Sequence, residues 1–127
     1  MANQYLLKSV IFFGGITLLF IIHHKIFTLL SLFYAFGIFT SLWNHGSTSD
    51  KAKWCDRISM FVGIFIDFSI IVSSKSILWY SFLLATPVAL YLTAKKLERH
   101  EKHIQRNLFH SGSHFFLTVL HINLIVD

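Results

Sequence analysis

Three histidines, an aspartate and a serine stand in the polar stretches of an otherwise apolar chain. Ser41 and His45 are four residues apart, as are His110 and His114, so each pair lies on one face of a helix. Asp56 follows His45 by eleven residues. Two histidines spaced in this way present both rings to one metal ion, and a third from another helix completes the set. Catalytic zinc takes about three protein ligands and keeps its fourth position for water.

These residue types predict hydrolysis at a metal centre. A bound zinc lowers the pKa of its water to about 7, which makes hydroxide available at neutral pH. Asp56 is predicted to take and return protons, and Ser41 to orient the aspartate or to donate to a developing oxyanion. Each feature alone has a plainer interpretation: His45 could lie among lipid head groups, and Asp56 could be a solvated neighbour of Arg57.

The elements that must position these residues are predicted to be membrane-spanning helices. Hydrophobic residues make up 54% of the 127 residues and charged residues only 13%, whereas a soluble domain is usually about 25% charged. Long apolar runs separate the charged clusters, and about 20 such residues span a bilayer. We therefore expect an all-α, polytopic helical bundle that forms a single integral membrane domain over residues 1–127. The predicted spans are 5–22, 26–45, 56–74, 77–94 and 110–126.

Lysine and arginine are distributed unequally between the two sides that these five spans define. Nine of them fall on the side of the N-terminus, and two, Lys25 and Lys75, fall on the other side. The bias predicts a cytoplasmic N-terminus and a C-terminus on the opposite side. The net charge of +5 is thus interpreted as a topology signal and a contact for anionic lipids, and not as a nucleic-acid-binding surface. All five candidate site residues then lie near the cytoplasmic face.

Asp67 and His121 form a second polar layer. They lie eleven residues beyond Asp56 and His110, which places them on about the same helix faces and roughly 16 Å deeper. A lone aspartate inside a membrane costs several kcal/mol. We therefore expect Asp67 and His121 to pair, either as a structural pair or as a proton relay.

Several other features receive structural interpretations. Gly14 and Gly15 are expected to let neighbouring helices approach closely, and Pro87 to kink the fourth span. The basic segment 95–107 is expected to be an interfacial helix or an ordered loop. Cys55 adjoins the candidate aspartate, but the histidines are better candidates for metal ligands.

The constellation Ser41-x-x-x-His45, an aspartate eleven residues on and a terminal His110-x-x-x-His114 resembles the CREST superfamily of membrane hydrolases. This group includes the alkaline ceramidases, the adiponectin/progestin receptor family and GPI-remodelling phospholipases. Residues 56–60 look most like the Asp-Glu-Leu-Pro-Met region of alkaline ceramidases, and the terminal motif looks like their His-x-x-Trp-His segment. The family usually has seven spans, whereas this chain has room for about five.

The resemblance implies roles for the five residues. His45, His110 and His114 would bind zinc near one membrane face, Asp56 would be the general acid/base, and Ser41 would support the oxyanion. The implied fold is a helical bundle with a lipid pocket between its helices. The expected function is hydrolysis of an amide or ester bond of a membrane lipid.

Two other classes of function stay open at this point. One is a non-catalytic membrane protein that keeps a structural zinc site and senses lipid or binds a partner. The other is a bis-histidine haem protein that uses His45 with His110 or His114. The sequence leaves the substrate lipid, the organelle and the formation of a homo-oligomer open.

Overall fold

The computed structural model describes residues 3–127, and among these it contains five α-helices and no strands. The predicted all-α class is therefore confirmed. Two of the helices, α1 and α4, are long and apolar enough to cross a membrane. The helices are α1 (Gln4–His24), α2 (Leu29–Gly46), α3 (Asp50–Ile71), α4 (Ile77–Arg99) and α5 (His103–Val126).

Several helix ends differ from the predicted span ends. α3 begins at Asp50 because the Ser49 side chain caps it, accepting a hydrogen bond of 3.4 Å from the Ala52 N–H. α4 continues to Arg99 and α5 begins at His103. The basic segment 95–107 is thus not a separate interfacial helix or loop, because it is divided between two long helices that a short turn connects.

The helices follow one another around a ring. α1 packs on α2 and α5, α2 packs on α3, α3 packs sparsely on α4, and α4 packs extensively on α5, while the backbones of α2 and α5 approach each other at few points. Ser9 bonds to His114, and the Thr118 hydroxyl donates to the Phe13 carbonyl, so α1 and α5 run parallel. Consecutive helices run antiparallel because their connections are short. Therefore α1, α3 and α5 begin, and α2 and α4 end, at one end of the bundle, which we call the N-terminal side.

The packed core lies in the half of the bundle away from the N-terminal side. There the Tyr80 hydroxyl donates a hydrogen bond to the Asp127 carboxylate, which ties α4 to the end of α5. A cavity of about 1110 Å³ extends between the helices from the N-terminal side as far as Asp67 and His121. The buried core side chains come from α3, α4 and α5 and are Ile71, Tyr80, Leu83, Leu84, Leu120 and Leu124.

Gly14 allows α1 to lie close against α2. A Cβ atom at this position would lie 2.7 Å from Cγ2 of Ile38, whereas a Cβ atom at Gly15 would meet nothing within 4 Å. The prediction of close helix approach is confirmed for Gly14 and is wrong for Gly15.

Candidate metal centre

Three histidines meet at the N-terminal side of the cavity. His45 lies in the last turn of α2, and His110 and His114 lie one turn apart on α5. One nitrogen from each ring lies within 4.8 Å of the others. The centroid of the His45 ring is 5.2 Å from that of His110 and 5.8 Å from that of His114. The three side chains are close enough together to bind one metal ion.

The hydrogen bonding of His45 fits a metal ligand. Its Nε2 atom is buried and has no hydrogen-bond partner among residues 3–127. Leaving a polar atom buried and unpaired costs about 1–3 kcal/mol, so a native protein normally satisfies it. An ion held among the three rings would remove this cost, because the lone pair on the neutral nitrogen is the ligand that a metal takes.

Ser9 of α1 supports the centre from a third helix. Its hydroxyl lies 2.9 Å from Nδ1 of His114 and 3.0 Å from the hydroxyl of Ser111. A partner on one ring nitrogen fixes the tautomer and orientation of a histidine and leaves the other nitrogen for a metal. Sequence reasoning missed Ser9, although a buried polar residue in an apolar run is a signal that could have found it.

Asp56 and Ser41 line the same cavity as the histidines. One carboxylate oxygen of Asp56 accepts a hydrogen bond of 2.7 Å from the side-chain amide of Asn44, the residue beside His45. The amide therefore holds the carboxylate against the end of α2. The second oxygen of the carboxylate makes no hydrogen bond to a side chain within residues 3–127. Ser41 lies one helical turn before His45. Its hydroxyl makes no hydrogen bond to any other described residue.

The second polar layer lines the deeper part of the cavity. Oδ1 of Asp67 accepts a hydrogen bond of 2.6 Å from the Tyr34 hydroxyl, and Oδ2 lies 3.1 Å from Nε2 of His121. The Tyr34 ring stacks on the His121 ring at 3.7 Å between centroids. The predicted pairing of Asp67 with His121 is confirmed, and Tyr34 is a third member that the sequence did not indicate.

Charged side chains surround the N-terminal side of the cavity. Lys53 and Arg57 line it from α3, Lys95 lines it from α4, and Arg106 lines it from α5. Glu98 connects the last two helices, because its carboxylate accepts hydrogen bonds from Lys95 Nζ at 3.2 Å and Arg106 Nη1 at 3.1 Å. The candidate metal centre thus lies beneath a predominantly basic opening.

Cys55 and the two histidines at the end of α1 lie away from this centre. Cys55 is exposed on α3 and carries a free thiol. His23 and His24 lie at the end of α1 on the opposite side of the bundle. None of these three residues lines the cavity in the described part of the chain.

Comparison with known proteins gave no match to a family model, a curated protein or a solved structure. The functional assignment must therefore be argued from the geometry of the site.

Proposed function

We propose that all five helices cross a membrane, with the N-terminus in the cytoplasm. Every helix carries exposed large apolar side chains, among them Phe65 on α3 at 73% and Leu78 on α4 at 86% exposure. Soluble monomers rarely expose contiguous apolar patches beyond a few hundred Å². Only 33% of the apolar stretch of α1 and 22% of that of α4 is buried inside the bundle, unlike a core helix of a soluble protein. Lipid would cover these surfaces, and the basic side chains at the N-terminal side set the orientation.

Within this bundle we propose a zinc-dependent hydrolase that cleaves an amide or ester bond of a membrane lipid, similar to the ceramidase branch of the CREST superfamily. The observation that carries the proposal is that three histidines each bring a ring nitrogen within 4.8 Å of the others, and that Nε2 of His45 is buried with no hydrogen-bond partner among residues 3–127. All-nitrogen sets of three histidines suit zinc.

Each residue of the site then has a defined task. His45, His110 and His114 hold the ion, and Ser9 keeps the His114 ring in the orientation that leaves Nε2 free. When bound, zinc would supply an activated water molecule for attack on a carbonyl. Asp56 would take up a proton at its carboxylate and return it to the leaving group, while Asn44 holds the carboxylate in place. Ser41 donates a hydrogen bond to the developing oxyanion.

The cavity has the size and lining for a lipid chain. Its volume of about 1110 Å³ lies slightly above the usual range for small-molecule pockets, roughly 300–1,000 Å³. Side chains from all five helices form its apolar wall. They include Phe13, Phe33, Ile38, Ile64 and Leu117.

The metal content of detergent-purified protein tests the first half of the proposal. We expect about one zinc per chain in the wild type, none in His110→Ala, and an unchanged amount in His100→Ala, which removes an exposed histidine in the turn after α4. Circular dichroism and gel filtration check that each variant is folded. Folded wild-type protein without zinc would refute the metal site, and a Soret band would favour the haem alternative.

Hydrolysis of ester- and amide-linked lipids tests the second half. Asp56→Asn should lower the rate about 10²–10⁴-fold without loss of zinc, whereas Glu101→Gln, at an exposed position after α4 that does not line the cavity, should have little effect. A structural zinc site is the second candidate, because the backbones of α2 and α5 approach each other at few points and an ion would join them. Zinc-loaded protein that cleaves no lipid would favour that alternative.

A further inference from the structure

The basic side chains of the N-terminal side fall into two groups. One group, which includes Lys96, Arg99 and Lys102, is exposed and does not line the large cavity. The other group lines it and consists of Lys53 and Arg57 on α3, Lys95 on α4 and Arg106 on α5. The rule that places positive charge on the cytoplasmic side requires only that the loops be basic. It gives no reason for cations to face a cavity between helices, so the second group needs another explanation.

Arg106 lies directly next to the metal centre. It precedes His110 by four residues on α5 and so shares its helix face, about 6 Å away along the axis. The Arg106 side chain is only 16% exposed, and Nη1 bonds to Glu98. Its Nε atom is buried without a hydrogen-bond partner. Because a guanidinium carries five N–H donors in a rigid fork, Arg106 retains donors that no other described residue uses.

Lys95 approaches the same place from α4. Its Nζ atom lies 5.6 Å from the centroid of the Tyr91 ring, and the Tyr91 ring lies edge-on to the His110 ring at 5.3 Å. The single carboxylate of Glu98 bonds to both Lys95 and Arg106. Glu98 thus holds two cations beside the candidate metal centre and offsets only one of their two charges.

We propose that the lipid bound at this site carries a phosphate group a few bonds from the carbonyl that is attacked, and that Arg106 and Lys95 bind this phosphate. A phosphate offers three strong acceptor oxygens, enough for donors from two helices, and a guanidinium binds it in a bidentate manner. The position of the scissile bond rests on the proposed hydrolase function, whereas the phosphate site itself does not depend on it.

Two ether-linked lipids separate binding from hydrolysis, because neither contains a bond that the site could cleave. The probes are a dialkylglycerol phosphate and the uncharged dialkylglycerol, each added to wild-type protein in zwitterionic detergent. Affinity is obtained from the rise in melting temperature with lipid concentration. We expect the phosphate lipid to bind about tenfold more tightly or better, since hydrogen bonds to charged groups are strong.

Substitutions show whether the preference comes from the cavity. Arg106→Gln should bring the affinities for the two lipids close to equality, and Lys95→Gln should reduce the preference for the phosphate lipid in part. Lys95→Gln thus provides a second test if Arg106→Gln does not fold. Arg99→Gln removes the same charge from an exposed position and should leave the preference unchanged. Equal binding of both lipids to the wild type would overturn the inference, and so would an equal loss in Arg99→Gln, because the membrane-surface charge would then be the cause.

The outcome for the hydrolase function can be read separately. If the ether phosphate lipid is preferred but no ester-linked phosphate lipid is cleaved, the phosphate site stands and the proposed reaction is rejected.

Discussion

Replacing Tyr34 with phenylalanine removes one hydrogen bond from a carboxylate that is 1% exposed, that of Asp67. Hydrogen bonds to charged groups contribute about 1.5–3 kcal/mol, whereas side-chain bonds between membrane helices average about 0.6 and reach about 1.7 kcal/mol. The hydroxyl is the only side-chain partner of Oδ1 within residues 3–127, and the bond is short at 2.6 Å. We therefore expect a loss near the membrane maximum, about 1.5 kcal/mol.

The substitution isolates the hydrogen bond because the phenylalanine ring can still stack on His121, as the Tyr34 ring does. The free energy of unfolding is measured by denaturant titration in detergent, where this loss would change the unfolding equilibrium about tenfold. Tyr5→Phe is the matched control, since Tyr5 is exposed on α1 and its hydroxyl has no hydrogen bond to a described residue. A Tyr34→Phe effect within about 0.5 kcal/mol of this control, the range of ordinary surface substitutions, would refute the reasoning.

A double-mutant cycle then tests the charge on Asp67. In an Asp67→Asn background the acceptor is neutral, so Tyr34→Phe should cost only about 0.5–1 kcal/mol. The difference between the two backgrounds measures the charge-assisted part of the bond. An equal cost in both would contradict a charge-assisted contribution to this hydrogen bond.

Three further predictions concern other parts of the bundle. Ser9→Ala removes the hydrogen bond to His114 and should weaken zinc binding about 10–100-fold, as measured by competition with a chelator; unchanged affinity would exclude a supporting role. Gly14→Ala should destabilise the protein by about 1–3 kcal/mol, because its Cβ would lie 2.7 Å from a branched side chain of α2. Gly15→Ala would meet no described atom within 4 Å and should stabilise the protein by about 0.5–1 kcal/mol. Effects of equal sign on the free energy of unfolding would contradict this prediction. The exposed Cys55 should react with a membrane-impermeant maleimide from the cytoplasmic face of oriented vesicles, and labelling from the other face alone would reverse the proposed orientation.

The number and order of the helices could be predicted because apolar runs and charged breaks are local properties of the sequence. The ends of the helices could not be predicted in the same way, because hydropathy detects where apolar character ends and not where backbone hydrogen bonding ends. α4 therefore continues through charged residues to Arg99, and α3 begins as early as Asp50, after the cap at Ser49.

The closeness of the three histidines could be expected from two simple rules, the spacing of four residues and the shared depth of His45 with His110. The partners that orient the site were not predictable, since Ser9 and Tyr34 reach it only through the packing of helices distant in the sequence. The packing of α1 against α5, which completes the ring of helices, brings Ser9 to His114. A single sequence contains no local pattern that specifies this contact.

The apolar packing is concentrated in one half of the bundle, so a metal ion bound in the other half would stabilise the fold as well as take part in chemistry. The apolar core joins α3, α4 and α5 in the half away from the N-terminal side, while the other half surrounds a cavity. The backbones of α2 and α5 approach each other at few points, yet these two helices supply all three histidines. The stack of Tyr34 on His121 already connects them deeper in the cavity, and an ion would add a second connection at the N-terminal side. Removal of the metal should therefore increase amide hydrogen exchange first in the last turn of α2 and the first turns of α5, and leave the core around Leu83 and Leu120 protected. A uniform loss of protection would show that the two halves of the bundle unfold together. The ion would then not stabilise the contact of α2 with α5 independently of the core.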